Sequence, residues 1–185
     1  DLWDSSVSLA TDRAGRWLVV WAKETFPGSD SKRVVLYSVS HDGGATWSQQ
    51  GEILGASDAL NVVKSQVVHD GANRWVAVWG GHTMGSFSDI YYASSDGTGQ
   101  NWSAPASLYP DNSDYSYIDD EWPGLASDGR GTVAVAWRAS AGRSDNRLMG
   151  GTIGPDADIL LSRTTDGGLS WTTPALLTPS GVRDD

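Results

Sequence analysis

Arginine, tyrosine and carboxylate side chains crowd into a few short polar stretches of this chain. Lys23 and Glu24 lie in one, His82 in a second, Arg138, Arg143, Asp145 and Arg147 in a third, and Asp111, Asp114, Tyr115, Tyr117, Asp119, Asp120 and Glu121 in the longest. Arg138, Arg143 and Arg147 offer planar guanidinium groups that can grip a carboxylate at two points. Asp111, Asp114, Asp119 and Asp120 offer hard oxygen donors of the kind Ca²⁺ takes. Their spacing is not that of an EF-hand loop, and solvated turn acids account for them better. His41, His69 and His82 lack metal-ligand spacing, and no Ser/His/Asp set or Gly-rich phosphate loop occurs. No metal and no cofactor is therefore expected.

Composition narrows the ligand. The 185 residues carry 23 acidic and 13 basic side chains, a net charge of −10, so the overall field repels polyanions such as nucleic acid or an anionic membrane surface. An anionic ligand would need a local arginine cluster. Apolar residues come in short runs, none near the roughly 20 residues of a membrane helix. There is no Cys, which excludes disulfides and thiolate metal sites. The chain opens at Asp1, which points to a processed or excised protein, secreted or periplasmic, whose signal peptide lies outside it.

The elements that must position these loops are repeated. Leu9-Ala10-Thr11-Asp12, Val67-Val68-His69-Asp70 and Leu125-Ala126-Ser127-Asp128 each precede a Gly-containing turn and a strand ending in Trp21, Trp79 or Trp137, 58 residues apart both times. A second marker follows in each unit: Asp42-Gly43-Gly44-Ala45-Thr46-Trp47, then Asp96-Gly97 leading to Trp102 with one extra residue, then Asp166-Gly167-Gly168-Leu169-Ser170-Trp171. Four strand-like runs per unit, at 6–11, 16–22, 33–40 and 46–54 in the first, make an antiparallel blade. The reading is an all-β propeller with three four-stranded blades per chain, about 1–58, 59–116 and 117–185, in a single domain.

The Ser/Thr-x-Asp-x-Gly-x-Thr/Ser-Trp pattern resembles the Asp box, or bacterial neuraminidase repeat, of sialidases and related propellers. The resemblance implies a six-bladed ring, an extracellular setting and an Asp-box turn on the face away from the active site. Asp42, Trp47, Asp96, Trp102, Asp166 and Trp171 are thus structural: Asp binds the amides of its own turn, Gly supplies positive φ, and Trp packs between strands. Trp21, Trp79 and Trp137 are expected in the core. Function falls to the opposite loops, at 23–32, 80–88 and 138–157 and the connections 55–64, 110–123 and 178–185. A sialidase needs arginines for the substrate carboxylate, a Tyr nucleophile with a nearby Glu, and an acid/base carboxylate. The resemblance therefore assigns Arg138, Arg143 and Arg147 to substrate binding, and Tyr115 or Tyr117 with Glu121 to the nucleophile pair. The family's N-terminal Arg-Ile-Pro element has no counterpart here.

Propellers typically close with four to eight blades, so three leave two apolar faces to cover. The repeat register survives a join from the C-terminus of one copy to Asp1 of another, and Arg183-Asp184-Asp185 followed by Asp1-Leu2-Trp3 mimics Asp119-Asp120-Glu121-Trp122. A head-to-tail homodimer giving six blades is expected, beside the alternative of a piece of a longer propeller. Two functions follow. One is a sialidase-like module that recognises an extracellular glycan, with glycoside hydrolysis as its further chemistry. The other is a non-catalytic structural or protein-interaction repeat that self-assembles into a ring.

Overall fold

The computed structural model describes residues 3–25, 32–55, 61–82, 88–109, 118–141, 147–148, 151–152 and 157–178, with backbone alone at 118, 141, 147–148 and 151–152. Every regular element among them is a strand.

Each repeat folds into one antiparallel sheet. The first contains β1 (Asp4–Thr11), β2 (Trp17–Glu24), β3 (Arg33–Ser40) and β4 (Gly51–Leu54), paired in that order. The second pairs β5 (Asn61–His69), β6 (Trp75–His82), β7 (Asp89–Ser95) and β8 (Ala106–Ser107). In the third, β9 (Ile118–Ser127) and β10 (Val133–Ala141) pair with β13 (Ala157–Thr164) and β14 (Ala175–Leu176). The short hairpin of β11 (Arg147–Leu148) and β12 (Gly151–Thr152) interrupts the sequence between β10 and β13. Outer strands are shorter than the sequence suggests, because residues 46–50 complete the turn at Asp42 before β4 begins.

Alternation along the second strands divides the core into two layers, since successive side chains point to opposite faces of a strand. Leu18, Val20 and Ala22 of blade 1 pack with Trp75, Ala77 and Trp79 of blade 2. Val76, Val78 and Ile90 of blade 2 pack with Val133, Val135 and Trp137 of blade 3. Each blade thus has a front face toward the preceding blade and a back face toward the following one. Trp79 and Trp137 are 0% and 2% exposed. Trp21, at the same place in blade 1, is only half-buried, because no described residues cover the front of that blade.

The inner strands carry a shared irregularity. Ser6, Lys64 and Trp122, 58 residues apart, all have left-handed φ (55°, 47° and 56°). Each lies in a register shift of its strand pair, between Ser5 and Ser8, between Val63 and Gln66, and opposite Ala136 to Arg138. A bulge of this kind bends the strand and increases its twist. Here it brings the next inner strand within hydrogen-bond reach. Ser8 Oγ accepts the Val67 N–H at 3.2 Å and Gln66 Oε1 accepts the Leu125 N–H at 2.6 Å, so the two joints between blades use the same register.

Candidate functional site

The turns at Asp42, Asp96 and Asp166 are closed on themselves. Asp42 accepts from the Ser40 hydroxyl (2.8 Å), the Thr46 amide (2.8 Å) and the Thr46 hydroxyl (2.6 Å). Asp166 repeats the pattern with Thr164 and the Ser170 amide, and Asp96 substitutes the Asn101 side-chain amide where its turn has one residue more. The Thr46 hydroxyl and amide, followed by the Ser40 hydroxyl, hold the Asp42 carboxyl down at about 2. Burial pushes Asp166 upward, but the Ser170 and Thr164 hydroxyls outweigh it and bring that carboxyl to about 2 as well. Such carboxylates are poor proton donors near neutrality. Trp47 and Trp102 each donate to a glycine carbonyl of their own turn, at 3.1 and 3.0 Å.

Asp12, Asp70 and Asp128 perform the same service at the first turns. Asp12 Oδ1 accepts from the amides of Ala14 and Arg16, Asp70 Oδ1 from those of Ala72, Asn73 and Arg74, and Asp128 Oδ1 from those of Arg130 and Thr132. The three turns converge around a cleft of about 290 Å³ lined by Thr11, Asp12, Arg13, His69, Ser127 and Gly129 among others. Sequence reasoning did not single out this cleft. Its signal lies in Arg13, which has φ 62° at the place where the other two blades have Gly71 and Gly129. His69 is edge-on to Trp75 at 4.7 Å, and burial pushes its imidazole below the ordinary histidine range against the pull of Asp70 and Asp12.

The opposite end of the blades carries a polar belt. Arg33 pairs with Glu24 at 3.5 Å and donates across the joint to Asn61 Oδ1 (3.3 Å) and the Val62 carbonyl (3.0 Å). Asn61 contacts His82 Nε2 at 3.2 Å. At the next joint, Ser88 N–H donates to Asp119 Oδ1 (3.0 Å) and its carbonyl accepts from the Asp120 amide (2.8 Å). The belt ends at Arg138, whose Nη1 donates to Glu121 Oε2 at 2.7 Å. These two side chains remain 39% and 34% exposed.

Of the residues singled out from sequence, Glu121 and Arg138 are therefore brought together, on neighbouring strands and on the back face of blade 3. Asp119 and Asp120 hold the second joint. Tyr115, Tyr117, Arg143, Asp111, Asp114 and Asp145 lie outside the described residues, and Arg147 is placed by its backbone on β11. Two described tyrosines, Tyr37 and Tyr91, have hydroxyls shifted upward by burial, helped at Tyr91 by Asp89, the opposite of a nucleophile's preparation. The cross-joint roles of Arg33, Asn61 and Ser88 were missed, and only their place at strand ends hinted at them.

No protein-family model and no curated protein sequence matches the chain. Among solved structures it is similar to the Hadza microbial sialidase Hz136, with TM-score 0.63 and 15% identity over 91% of this chain and 36% of that one. It is also similar to the GH93 α-L-arabinofuranosidase of Fusarium graminearum in complex with arabinobiose (TM-score 0.57, 13% identity, 95% and 48% of the two chains). A third likeness is to a polysaccharide lyase of family PL25, an ulvan lyase (TM-score 0.57, 12% identity, 94% and 42%). The chain spans about a third to a half of the length of these proteins. At such identities the likeness establishes the fold, a β-propeller, of which this chain provides three blades.

Proposed function

We propose that the chain is a glycan-recognition module of the sialidase-like kind, acting outside the cell on a carboxylate-bearing sugar. The half-exposed Arg138–Glu121 pair carries this reading: it presents a guanidinium, held in place by one carboxylate contact, at the end of the blades away from the Asp-box turns. Arg138 engages Glu121 through Nη1, which leaves donors of its planar fork for a ligand carboxylate. The fold points the same way, since the similar structures are named as a sialidase, an arabinofuranosidase and an ulvan lyase. Hydrolysis through Glu121 with Tyr115 or Tyr117 as nucleophile is the finer form of the reading, with Arg143 and Arg147 joining Arg138 around the carboxylate.

Calorimetric titration with sialyllactose, and with a neutral arabino-oligosaccharide as comparison, tests it. The acidic sugar is expected to bind the chain and Arg138→Met to weaken that binding about 10- to 100-fold, the loss of one charged hydrogen-bond pair. Equal binding of both sugars, or affinity untouched by R138M, would overturn it. Release of free sialic acid from the same ligand, abolished in Y115F or Y117F, would add turnover to recognition.

A further inference from the structure

We infer that the cleft between the first turns of the three blades is a binding site for a tetrahedral oxyanion, sulfate or phosphate, held by Arg13, His69 and Ser127. The site lies at the end of the blades away from the Arg138–Glu121 pair and does not rest on the glycan reading.

Arg13 is a residue that the turn itself does not call for. With φ 62° it stands where the other two blades have Gly71 (φ 84°) and Gly129 (φ 69°), a left-handed conformation that glycine takes freely and arginine does not. Strain kept in one copy of a repeat, where the other copies avoid it, points to a task for the side chain. That side chain crosses the cleft, from the turn of blade 1 to the turn of blade 3: its Nη1 lies 3.6 Å from the place a Cβ on Gly129 would take. Among the described residues the guanidinium has no ion pair and no hydrogen bond, which leaves its donors to a ligand.

The other donors come from one repeat position. Thr11, His69 and Ser127 are 58 residues apart, and each accepts the amide two residues on. The Arg13 N–H donates to Thr11 Oγ1 at 3.0 Å, the Gly71 N–H to His69 Nδ1 at 3.1 Å and the Gly129 N–H to Ser127 Oγ at 3.0 Å. Accepting in this way leaves each side chain a hydrogen to give. Thr11 gives its own to the Arg16 carbonyl at 2.9 Å. Neutral His69, accepting at Nδ1, carries its ring proton on Nε2, and Ser127 keeps its hydroxyl hydrogen. Neither donates to another described residue, and both line the cleft with Arg13.

The acids of these turns are already engaged. Asp12 pairs with Arg16 Nε at 3.1 Å and accepts from two amides, buried Asp70 accepts from three, and Asp128 accepts from two. Against these three carboxylates the same turns carry Arg13, Arg16, Arg74 and Arg130, a local excess of cations in a chain of net charge −10. Donors from three separate turns meet an occupant from different sides, which suits the oxygens of a tetrahedral anion. A planar carboxylate presents two oxygens, which a single guanidinium fork satisfies. The volume of about 290 Å³ lies at the lower end of the roughly 300–1,000 Å³ of small-molecule pockets, enough for the ion or a small ester of it.

Calorimetric titration with sodium sulfate and sodium phosphate, against sodium chloride at equal ionic strength, tests the site. Saturable binding of one ion per chain is expected, and Arg13→Gly should weaken it about 10- to 100-fold, the loss of one charged hydrogen-bond pair. His69→Ser should weaken it too while keeping the cap, as Ser127 does in blade 3. Glycine suits the backbone at position 13, so R13G should keep the urea midpoint of the unmodified chain or exceed it, which separates lost binding from lost folding. In amide NMR spectra the Gly71 and Gly129 resonances should move with added sulfate. Glucose 6-phosphate beside inorganic phosphate distinguishes an ester group from a free ion, and saturable binding of either supports the site. No saturation beyond the chloride control, an affinity unchanged in R13G, or a loss in R138M equal to that in R13G would overturn the proposal. Acetate bound as tightly as sulfate would overturn the tetrahedral assignment.

Discussion

Gly99 presses against Leu18 of the preceding blade, so closely that an added methyl would lie 2.6 Å from its Cδ1, whereas Gly44 at the same place in blade 1 touches nothing within 4 Å. Both glycines have positive φ, 74° and 94°, so alanine at either position meets similar backbone strain, about 1 kcal/mol. Gly99→Ala must in addition displace a fully buried Leu18, an overpacking cost of about 1–3 kcal/mol. Urea denaturation of dilute, monomeric protein should therefore rank G99A well below G44A in stability. Equal midpoints would mean that the blade joint yields without cost.

The same asymmetry governs the tryptophans. Trp79 is fully buried in the first joint and stacks on Tyr91 at 6.4 Å, so Trp79→Ala should cost about 3–5 kcal/mol and threaten folding altogether. Trp21, half-buried at the open front face with its Nε1 donating to Asp4 Oδ1 at 3.1 Å, should cost well under half of that when truncated. Chemical denaturation of W79A and W21A side by side measures the difference. A W21A loss as large as that of W79A would show that blade 1 relies on its front face within a single chain.

These contrasts mark how far the sequence could be read. Turn chemistry is local: Asp42, Gly43 and Thr46 close their own loop within five residues, so the turns at Asp42, Asp96 and Asp166 and the count of three blades were legible from spacing alone. The full burial of Trp79 against the half-burial of Trp21 depends on what lies before each blade, which the similar local sequences cannot encode. The left-handed residues Ser6, Lys64 and Trp122 share no chemistry, only a spacing of 58, and so escaped a reading based on residue type. Contacts such as Gln66 with Leu125 join residues 59 apart through an ordinary amide, with no motif to betray them. At the candidate site, the types of Glu121 and Arg138 drew attention early, but their pairing rests on the register of β9 with β10.

Acid should weaken the fold through the turns. Asp42 and Asp166 titrate at about 2 in the folded chain, below the ordinary carboxylate value near 3.9, and Asp12, Asp96 and Asp128 are shifted in the same direction. A depressed folded value means that the unfolded chain binds protons first as pH falls. The stability from these groups is then fully present above about pH 4 and is lost between about 4 and 2. Urea midpoints measured from pH 7 to pH 2 should be flat in their upper range and drop in this window. Asp42→Asn and Asp166→Asn should each start lower at pH 7 and fall less steeply, and an unchanged slope in both would assign acid sensitivity to other groups.

Arg138 and Arg33 separate binding from stability. Both pair with a glutamate of their own blade, Arg138 with Glu121 at 2.7 Å and Arg33 with Glu24 at 3.5 Å, but only Arg33 also reaches across a joint, to Asn61 and the Val62 carbonyl. An ion pair as open as Arg138–Glu121 is screened by water and contributes at most about 1 kcal/mol, so Arg138→Met should leave the unfolding midpoint of dilute protein almost where it was. Arg33 is more enclosed, at 23% exposure, and R33M would leave the Val62 carbonyl without a donor that the joint now supplies. Its loss should reach about 1–3 kcal/mol, the cost of stranding a buried acceptor. If R138M unfolds the chain as readily as R33M does, then Arg138 belongs to the framework of blade 3, and its effect on glycan affinity would have to be measured against that loss rather than read as lost contact with a sugar.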